Sequence, residues 1–272
     1  MIVAGVLTFQ EAVDAIDFNT LTHLQGMMLL WEVLQRGGFF TLMAERAVSL
    51  AGSPGKMLAS VVIVTAIASA FLVNDVVVLL FTPVIIRACR MQNVNPVPYL
   101  IGEALASNIG STATIVGNPQ NMLIGVASGI SFTRFFAYLA PVAFISTLLL
   151  LGVLWVLYRT ELVLHTFHAV LRPLPRGAPP MPSTSVPAGA SESASAIAVD
   201  EGALRRSVPI LALVIIAFFL SPLLGLNIPV VALAAGVLAV LVSGAKPSEV
   251  MRNVDWVLLL FFGGLFVVIG GA

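Results

Sequence analysis

The sequence predicts an all-α membrane protein built on inverted repeats, with a re-entrant helical hairpin and a broken transmembrane helix. Three observations carry that prediction: uncharged runs as long as a bilayer is thick, dense polar clusters inside apolar surroundings, and one short pattern that occurs twice.

Composition sets the class. Hydrophobic residues make up 59% of the 272 residues and charged residues 10%, and the mean hydropathy is +1.04. Soluble domains carry about 25% charged residues. Residues 135–158 form a run of 24 without a single charge, and a helix needs roughly 20 apolar residues to cross the hydrocarbon core. No charged leader with a cleavage site follows Met1, so a removable signal peptide is not expected. The single cysteine, Cys89, excludes an internal disulfide framework and a Cys-based zinc site. Thirteen basic residues balance thirteen acidic ones, which argues against nucleic acid as a partner. No nucleophile–base pair or metal-ligand set stands out, so the chain is not read as an enzyme.

The elements follow in order. Residues 21–34 form a short, imperfect apolar helix, followed by a stretch with Arg36, Glu45, Arg46 and Lys56. Residues 57–73 and 76–86 are two apolar arms joined at Asn74-Asp75, giving a hairpin over 57–86. A polar stretch with Arg87, Arg90 and two prolines precedes residues 99–126, which are apolar but interrupted by Gly, Ser, Thr, Asn and Pro. Residues 136–158 form a full span. From Pro173 the chain is rich in Pro, Ser, Ala and Gly and reads as a flexible cytoplasmic linker over 173–206. Two helices follow, at 208–220 and 230–242, around an uncharged turn at 221–227. Another helix begins at 257. The organisation is therefore a first-repeat portion over 1–172, the linker, and the start of a second repeat over 207–272.

Loops rich in Lys and Arg stay cytoplasmic. With the linker inside, twelve of the thirteen basic residues fall inside and only Arg134 lies outside. That count requires residues 57–86 to enter and leave on one side. The repeated pattern agrees with the orientation. Glu11, Asp17, Phe18, Leu21 and Gly26 match Glu249, Asp255, Trp256, Leu259 and Gly264 at a constant offset of 238. The first copy is flanked by acids, the second by Lys246 and Arg252, so the two start on opposite sides, as inverted repeats do. The second copy ends before its own hairpin forms, which reads as a partial chain.

Two polar clusters carry chemistry. The first, from Ser69 to Asn74-Asp75, lies at the turn between the hairpin arms. Backbone exposed at membrane depth is tolerated only where protein or a water-filled cavity satisfies it, and a carboxylate there is costly and usually functional. An ordinary polar turn at the bilayer surface is the alternative. The second cluster runs from Ser107 to Asn121. It holds eight hydroxyl or amide side chains (Ser107, Asn108, Ser111, Thr112, Thr114, Asn118, Gln120, Asn121) with Gly110, Gly117 and Pro119, and no charge. Pro119 removes a donor and breaks the helix. Freed carbonyls suit a cation, and a half-helix N-terminus suits an anion. The alternative is a Pro-kinked helix packed through small residues.

Asn74-Asp75, Phe81-Thr-Pro83 and the run Ser107 to Asn121 together resemble the ion transporter superfamily. That group contains arsenite and antimonite permeases, sodium–proton antiporters, and citrate and dicarboxylate symporters. The resemblance covers nearly the whole chain outside the linker. It implies secondary transport of a small anion or oxyanion across the plasma membrane, coupled to sodium or protons, with no other cofactor. It implies a cation site at Asn74 with backbone of the Gly110 to Asn118 stretch, Gly110 and Gly117 included, to which the polar cluster at the turn adds Ser69. It implies that Asn74 and Asp75 face substrate, and the polar side chains of the second cluster (Asn108, Ser111, Thr112, Thr114, Asn118 and Asn121) are read as further substrate contacts. The Asn-Asp pair is more like the inorganic-anion permeases, since Val73 and Asp75 stand where the dicarboxylate branch has Ser and Thr. Sodium–proton antiport and a non-transporting remnant or subunit of a split transporter are the rival readings. Expected partners are the lipid bilayer, the anion, and a second copy or complementing half. Glu32 and Glu103 read first as interfacial or polar helix contacts and second as proton relays. His23 reads as packing before proton binding, and His165 and His168 as residues of a surface helix.

Overall fold

The computed structural model describes residues 7–49, 53–171, 201–244 and 246–270, and the regular elements among them are all helical. They are α1 (Phe9–Asp14), α2 (Phe18–Arg36), α3 (Phe39–Ser49), α4 (Pro54–Phe71), α5 (Asn74–Gln92), α6 (Val97–Ser111), α7 (Pro119–Ser128), α8 (Phe132–Leu171), α9 (Glu201–Leu224), α10 (Ile228–Ser243), α11 (Pro247–Asn253) and α12 (Trp256–Gly270). Among the described residues, three helical stretches are long and apolar enough to cross a membrane, Pro54–Phe71, Phe132–Glu161 and Gly202–Leu224. The pair α11 and α12, bent by 55°, makes a fourth if taken as one span. Only 17% of the apolar window in Phe132–Glu161 is buried, and Leu148, Leu149, Trp155 and Leu157 stand exposed along it. Such a face is stable against lipid and costly against water. The protein is a multi-pass protein of the plasma membrane.

The chain divides into two compact units. The first collects residues 1–37, 112–140 and 200–272. Its centre is the crossing of α2 and α10, where a Cβ on Gly26 would overlap the backbone of Ala232 and Leu233, and one on Gly236 would overlap the Gly26 carbonyl. Side-chain-free positions let two helix backbones approach this closely. Phe132 and Phe136 of α8 pack edge-on against Phe219 of α9, with ring centroids 4.9 and 5.1 Å apart.

Both copies of the repeated pattern lie in this unit. Phe9 and Pro247 open the short helices, and Phe18 and Trp256 open the long ones, so the 238-residue offset holds for helix starts as well as for sequence. Each long helix is capped by the equivalent aspartate. Asp17 Oδ1 accepts the Thr20 amide at 3.3 Å and Asp255 Oδ1 accepts the Leu258 amide at 2.9 Å, satisfying donors that a helix start leaves open. The two copies run in opposite directions. Arg36, at the end of α2, reaches Glu249 ahead of α12, while Gly270, near the end of α12, sits against Ala15 ahead of α2.

A polar cluster fastens α2 to α11. Arg36 donates from Nε to Glu32 at 2.8 Å, from Nη1 to the Glu249 carboxylate at 3.0 Å, and from Nη2 to the Glu249 carbonyl at 2.9 Å. Asn253 Nδ2 adds a 2.7 Å bond to the same Glu32 oxygen. Glu32 is therefore a polar helix contact, the first of its two readings. Removing Arg36 leaves a nearly buried carboxylate without its cation. Arg36→Met is expected to lower stability by about 1–3 kcal/mol, since Arg36 is part-exposed and water screens some of the loss. Thermal denaturation in detergent checks this, and an unchanged midpoint would remove the cluster's structural role.

The second unit collects residues 38–111 and 141–199. Here α4 and α6 run parallel. The Tyr99 hydroxyl donates to the Pro54 carbonyl at 3.2 Å, Gly102 faces Leu58 and Val62, and a Cβ on Gly110 would overlap the backbone of Ala66. In contrast, α5 is antiparallel to α6, with Asn74 beside Ser107 and Thr82 beside Glu103. The Ser60 hydroxyl bonds the Ala47 carbonyl and ties α4 to α3.

Several element boundaries differ from the sequence expectation. The first apolar helix covers Phe18–Arg36 rather than 21–34, because Asp17 caps it early. The charged stretch after it contains α3, whose buried Phe40, Ala44 and Ala47 recur at helical spacing. The second hairpin arm does not stop at residue 86 but continues to Gln92, where Asn93 ends it at φ 54°, a conformation Asn tolerates. The predicted linker lies outside the described residues up to 200. Its end, 201–206, is the first turn and a half of α9, built from the helix formers in Glu201 to Arg206. The span predicted at 136–158 extends over Phe132–Leu171 and runs through Pro141. The side chains of His165 and His168 lie outside the described residues, within that helix.

Candidate functional site: the hairpin turn and the helix break

The hairpin turns on two residues, as expected, but two positions earlier. Leu72 (φ −129°, ψ 152°) and Val73 (φ −62°, ψ 129°) are extended, and α5 starts at Asn74. Asn74 and Asp75 are thus not the loop tip; they form the first turn of α5. The correction has a physical reason. A carboxylate in a first turn complements the positive end of the helix macrodipole, whereas Leu72 and Val73 bury their side chains in the turn itself.

Around this turn the second unit gathers polar atoms from three helices. The Ser107 hydroxyl donates to the Asn74 carbonyl at 3.0 Å, and Asn74 Nδ2 makes a long 3.5 Å contact with Asn108 Oδ1. Asn108 Nδ2 donates to the Ala104 carbonyl at 2.9 Å, and the Ser111 hydroxyl donates to the Asn108 carbonyl at 2.9 Å. Ser69 is fully buried. Its Oγ, the Thr65 Oγ1 and the Asn74 Oδ1 are buried with no hydrogen-bond partner. Buried polar groups without partners are uncommon and costly. Ser69 Oγ and Asn74 Oδ1 are neutral oxygen atoms without partners, the type of hard ligand a small alkali cation takes. Gly110 sits in the last turn of α6, and its missing side chain is explained by Ala66. Neither Gly110 nor Gly117 adopts positive φ, so the second cluster does not use its glycines for left-handed backbone.

The first unit holds the other half of the second cluster. The helix break is as predicted: α6 ends at Ser111 and α7 begins at Pro119. Asn118 is extended (φ −154°, ψ 160°) and its side chain accepts the Asn121 amide at 2.8 Å. Asn121 Nδ2 in turn donates to the Thr114 carbonyl at 2.9 Å. The Asn-Pro-Gln-Asn sequence thus works as a cap. Asn118 is the N-cap, Pro119 fills the position that needs no donor, and Asn121 holds the broken segment against the helix it starts. Thr114 and Gly117 are buried, while Thr112 is exposed. Asn118→Ala is expected to cost about 1 kcal/mol through loss of the cap, with Asn118→Asp retaining most of it. Chemical or thermal denaturation of the two variants checks the order, and equal stabilities would contradict the capping role.

The predicted site residues therefore divide. Ser69, Asn74, Asp75, Asn108, Gly110 and Ser111 belong to the second unit, and Thr112, Thr114, Gly117, Asn118 and Asn121 to the first. An open cavity of about 430 Å³ in the first unit is lined by Asn19, Ser131, Ser221 and Asn227 among others, and none of the predicted site residues reaches it. Sequence reasoning noted Ser107 without assigning it a role. Its place one turn after Glu103 and one residue before Asn108 was the available signal. His23 is fully buried and stacks on Phe218 at 5.9 Å, the packing role read first.

The comparisons with known proteins agree with this architecture. The family model described as "Citrate transporter" matches residues 1–272. The chain is 34% identical over 263 residues to an uncharacterized transporter of Mycobacterium tuberculosis (Rv2684), covering 94% of this chain and 56% of that protein. It is 37% identical over 141 residues to the inner membrane protein YbiR of Escherichia coli, covering 52% and 38%. It is 32% identical over 136 residues to the putative transporter arsB of Dictyostelium discoideum, covering 50% and 24%. The chain spans little more than half the length of the mycobacterial relative. With the family model matched from end to end and the helix break and paired repeat elements in place, the chain belongs to the citrate transporter family of membrane transporters.

Proposed function

We propose that this protein carries a small anion or oxyanion across the membrane by alternating access, coupled to sodium or protons. The observation that supports this most is the pair of buried, unpartnered oxygens at the hairpin turn, Ser69 Oγ and Asn74 Oδ1. A bound cation satisfies them, and its charge draws an anion to the same end of α5. Amides in the first turn of α5 offer a partly positive end to anionic oxygens. Asp75 repels anions in proportion to their charge, which counts most against a multiply charged carboxylate and least against a singly charged oxyanion or a neutral oxyacid such as arsenous acid. Coupling follows if the cation binds the anion-competent state more tightly than the other, because equal affinity shifts nothing. The opposed copies α1–α2 and α11–α12 give the scaffold of such a cycle an inverted-repeat character. Sodium–proton antiport is the second reading: a titratable carboxylate, Asp75, in the first turn of α5 supports it, and its place after Asn74 rather than before it, unlike that branch, counts against it.

Flux in membrane vesicles against arsenite, phosphate, sulfate, citrate and succinate, with and without sodium and proton gradients, tests the proposal. Saturable flux of at least one anion that requires a gradient supports it. Exchange of sodium for protons with no anion flux would move the assignment to the antiporter reading.

A further inference from the structure

Glu103 is 1% exposed, lies on α6, and has no part in the hairpin-turn reading, though it faces the same α5–α6 seam. Its Oε2 accepts a 3.0 Å hydrogen bond from the Thr82 hydroxyl of α5. Its Oε1 is buried and has no hydrogen-bond partner. The charged and titratable groups on the elements packed around it are Lys56 on α4; Asp75, Arg87, Cys89 and Arg90 on α5; Tyr99 on α6; and Tyr158, Arg159 and Glu161 on α8. No ion pair or hydrogen bond joins any of them to Glu103 among the described residues.

An ionised carboxylate in this seam would have one neutral hydroxyl donor and no counter-charge. That is far less than a buried charge needs. A proton on Oε1 removes the charge and gives the orphaned oxygen something to donate. The position also matters. Ser107, which holds the Asn74 carbonyl, is one helical turn further along α6 from Glu103. Thr82 is followed directly by Pro83, which removes a backbone hydrogen bond from α5, so α5 is weakest where the carboxyl meets it. A change in charge at Glu103 thus acts on the same α5–α6 seam that positions Asn74.

We propose that Glu103 is a proton-carrying group of this transporter, a site for one proton distinct from the hairpin turn. It loads and releases that proton as the α5–α6 seam closes and opens to water. On release, the O–H bond at Oε1 breaks, the electron pair stays on the carboxylate, and water entering the seam takes the proton. The transport role rests on the proposed anion-transport function; the proton site does not, and the test separates the two.

Infrared spectroscopy of the purified chain, with glutamate isotope-labelled, reads the carbonyl stretch of protonated carboxylic acids near neutral pH. The expected result is a protonated-glutamate band that is lost in Glu103→Gln. In Thr82→Val the band should persist at a changed frequency, and Thr82→Ser should restore it. Proteoliposomes give the second reading. Glu103→Gln should lose proton-gradient-driven arsenite or citrate uptake while keeping exchange between the two sides. A wild-type protein with no protonated-glutamate band, or a band that neither Glu103→Gln nor Thr82→Val alters, would overturn the assignment. If Glu103→Gln fails to fold, the Thr82 pair still decides. An intact Glu103 band in a protein that moves no anion supports the proton site and sinks the transport reading alone.

Discussion

Gly110→Ala is expected to be the most damaging small substitution in the second unit, lowering stability by at least about 3 kcal/mol. A Cβ at this position would overlap the carbonyl oxygen, Cα and carbonyl carbon of Ala66. These are backbone atoms in the middle of α4, so no rotamer change relieves the clash and the two helices must separate. The contact holds α6 against the hairpin arm that ends at Phe71, and separating them also loosens the seam at Asn74. Because total stabilities run about 5–15 kcal/mol, the loss is a large share of the whole. Gly55→Ala is the control, since a Cβ there meets nothing within 4 Å. Heating the detergent-purified variants and measuring the fraction that stays monodisperse checks the order. Equal midpoints for Gly110→Ala and Gly55→Ala would show that α4 and α6 are not packed as described.

Asp75→Asn should uncouple ion dependence from assembly. Asp75 is exposed on the surface of its unit, in the first turn of α5, and forms no ion pair among the described residues. At membrane depth an unpaired carboxylate is expensive, so in the proposed cycle it binds a proton or lies beside the coupling cation. The amide keeps size and hydrogen bonding and removes the charge. The structural cost is confined to the helix-dipole contribution, about 0.3–1 kcal/mol, so the variant should fold and insert normally. Its transport should lose most of its dependence on sodium or pH. Transport with unchanged sodium and pH dependence would reduce Asp75 to a helix-start residue.

Much of this architecture was legible in the sequence, for physical reasons. Lipid demands long uncharged runs, so the membrane class could be read from composition alone. The break between α6 and α7 was legible because Pro119 cannot continue a helix and Asn118 is a strong cap. The matching helix starts at Asp17 and Asp255 were legible because each long helix uses an aspartate cap in the same place. Other features depend on tertiary contacts and left no such trace. Asn74 looked like a loop tip, yet Leu72 and Val73 make the turn because burial, which no local pattern reports, favours apolar residues there. Gly110 could serve a close approach or an unusual backbone angle; which backbone it admits, that of Ala66, is a contact 44 positions away in sequence that no local pattern reports. The partner of Glu103 was hidden for the same reason: Thr82 lies on a different helix, and only the antiparallel packing of α5 on α6 brings them together.

The central claim is that the turn at Asn74 couples a cation to anion movement. Gradient-driven uptake of radiolabelled arsenite and citrate into proteoliposomes tests it most directly, with the wild type, Asn74→Ala and Gly55→Ala compared at equal protein content. The wild type and Gly55→Ala should show uptake of at least one of the two anions that depends on a sodium or proton gradient. Asn74→Ala should lose that gradient dependence while melting and eluting like the wild type. Gradient-dependent uptake at the wild-type rate by a well-folded Asn74→Ala protein would contradict the claim.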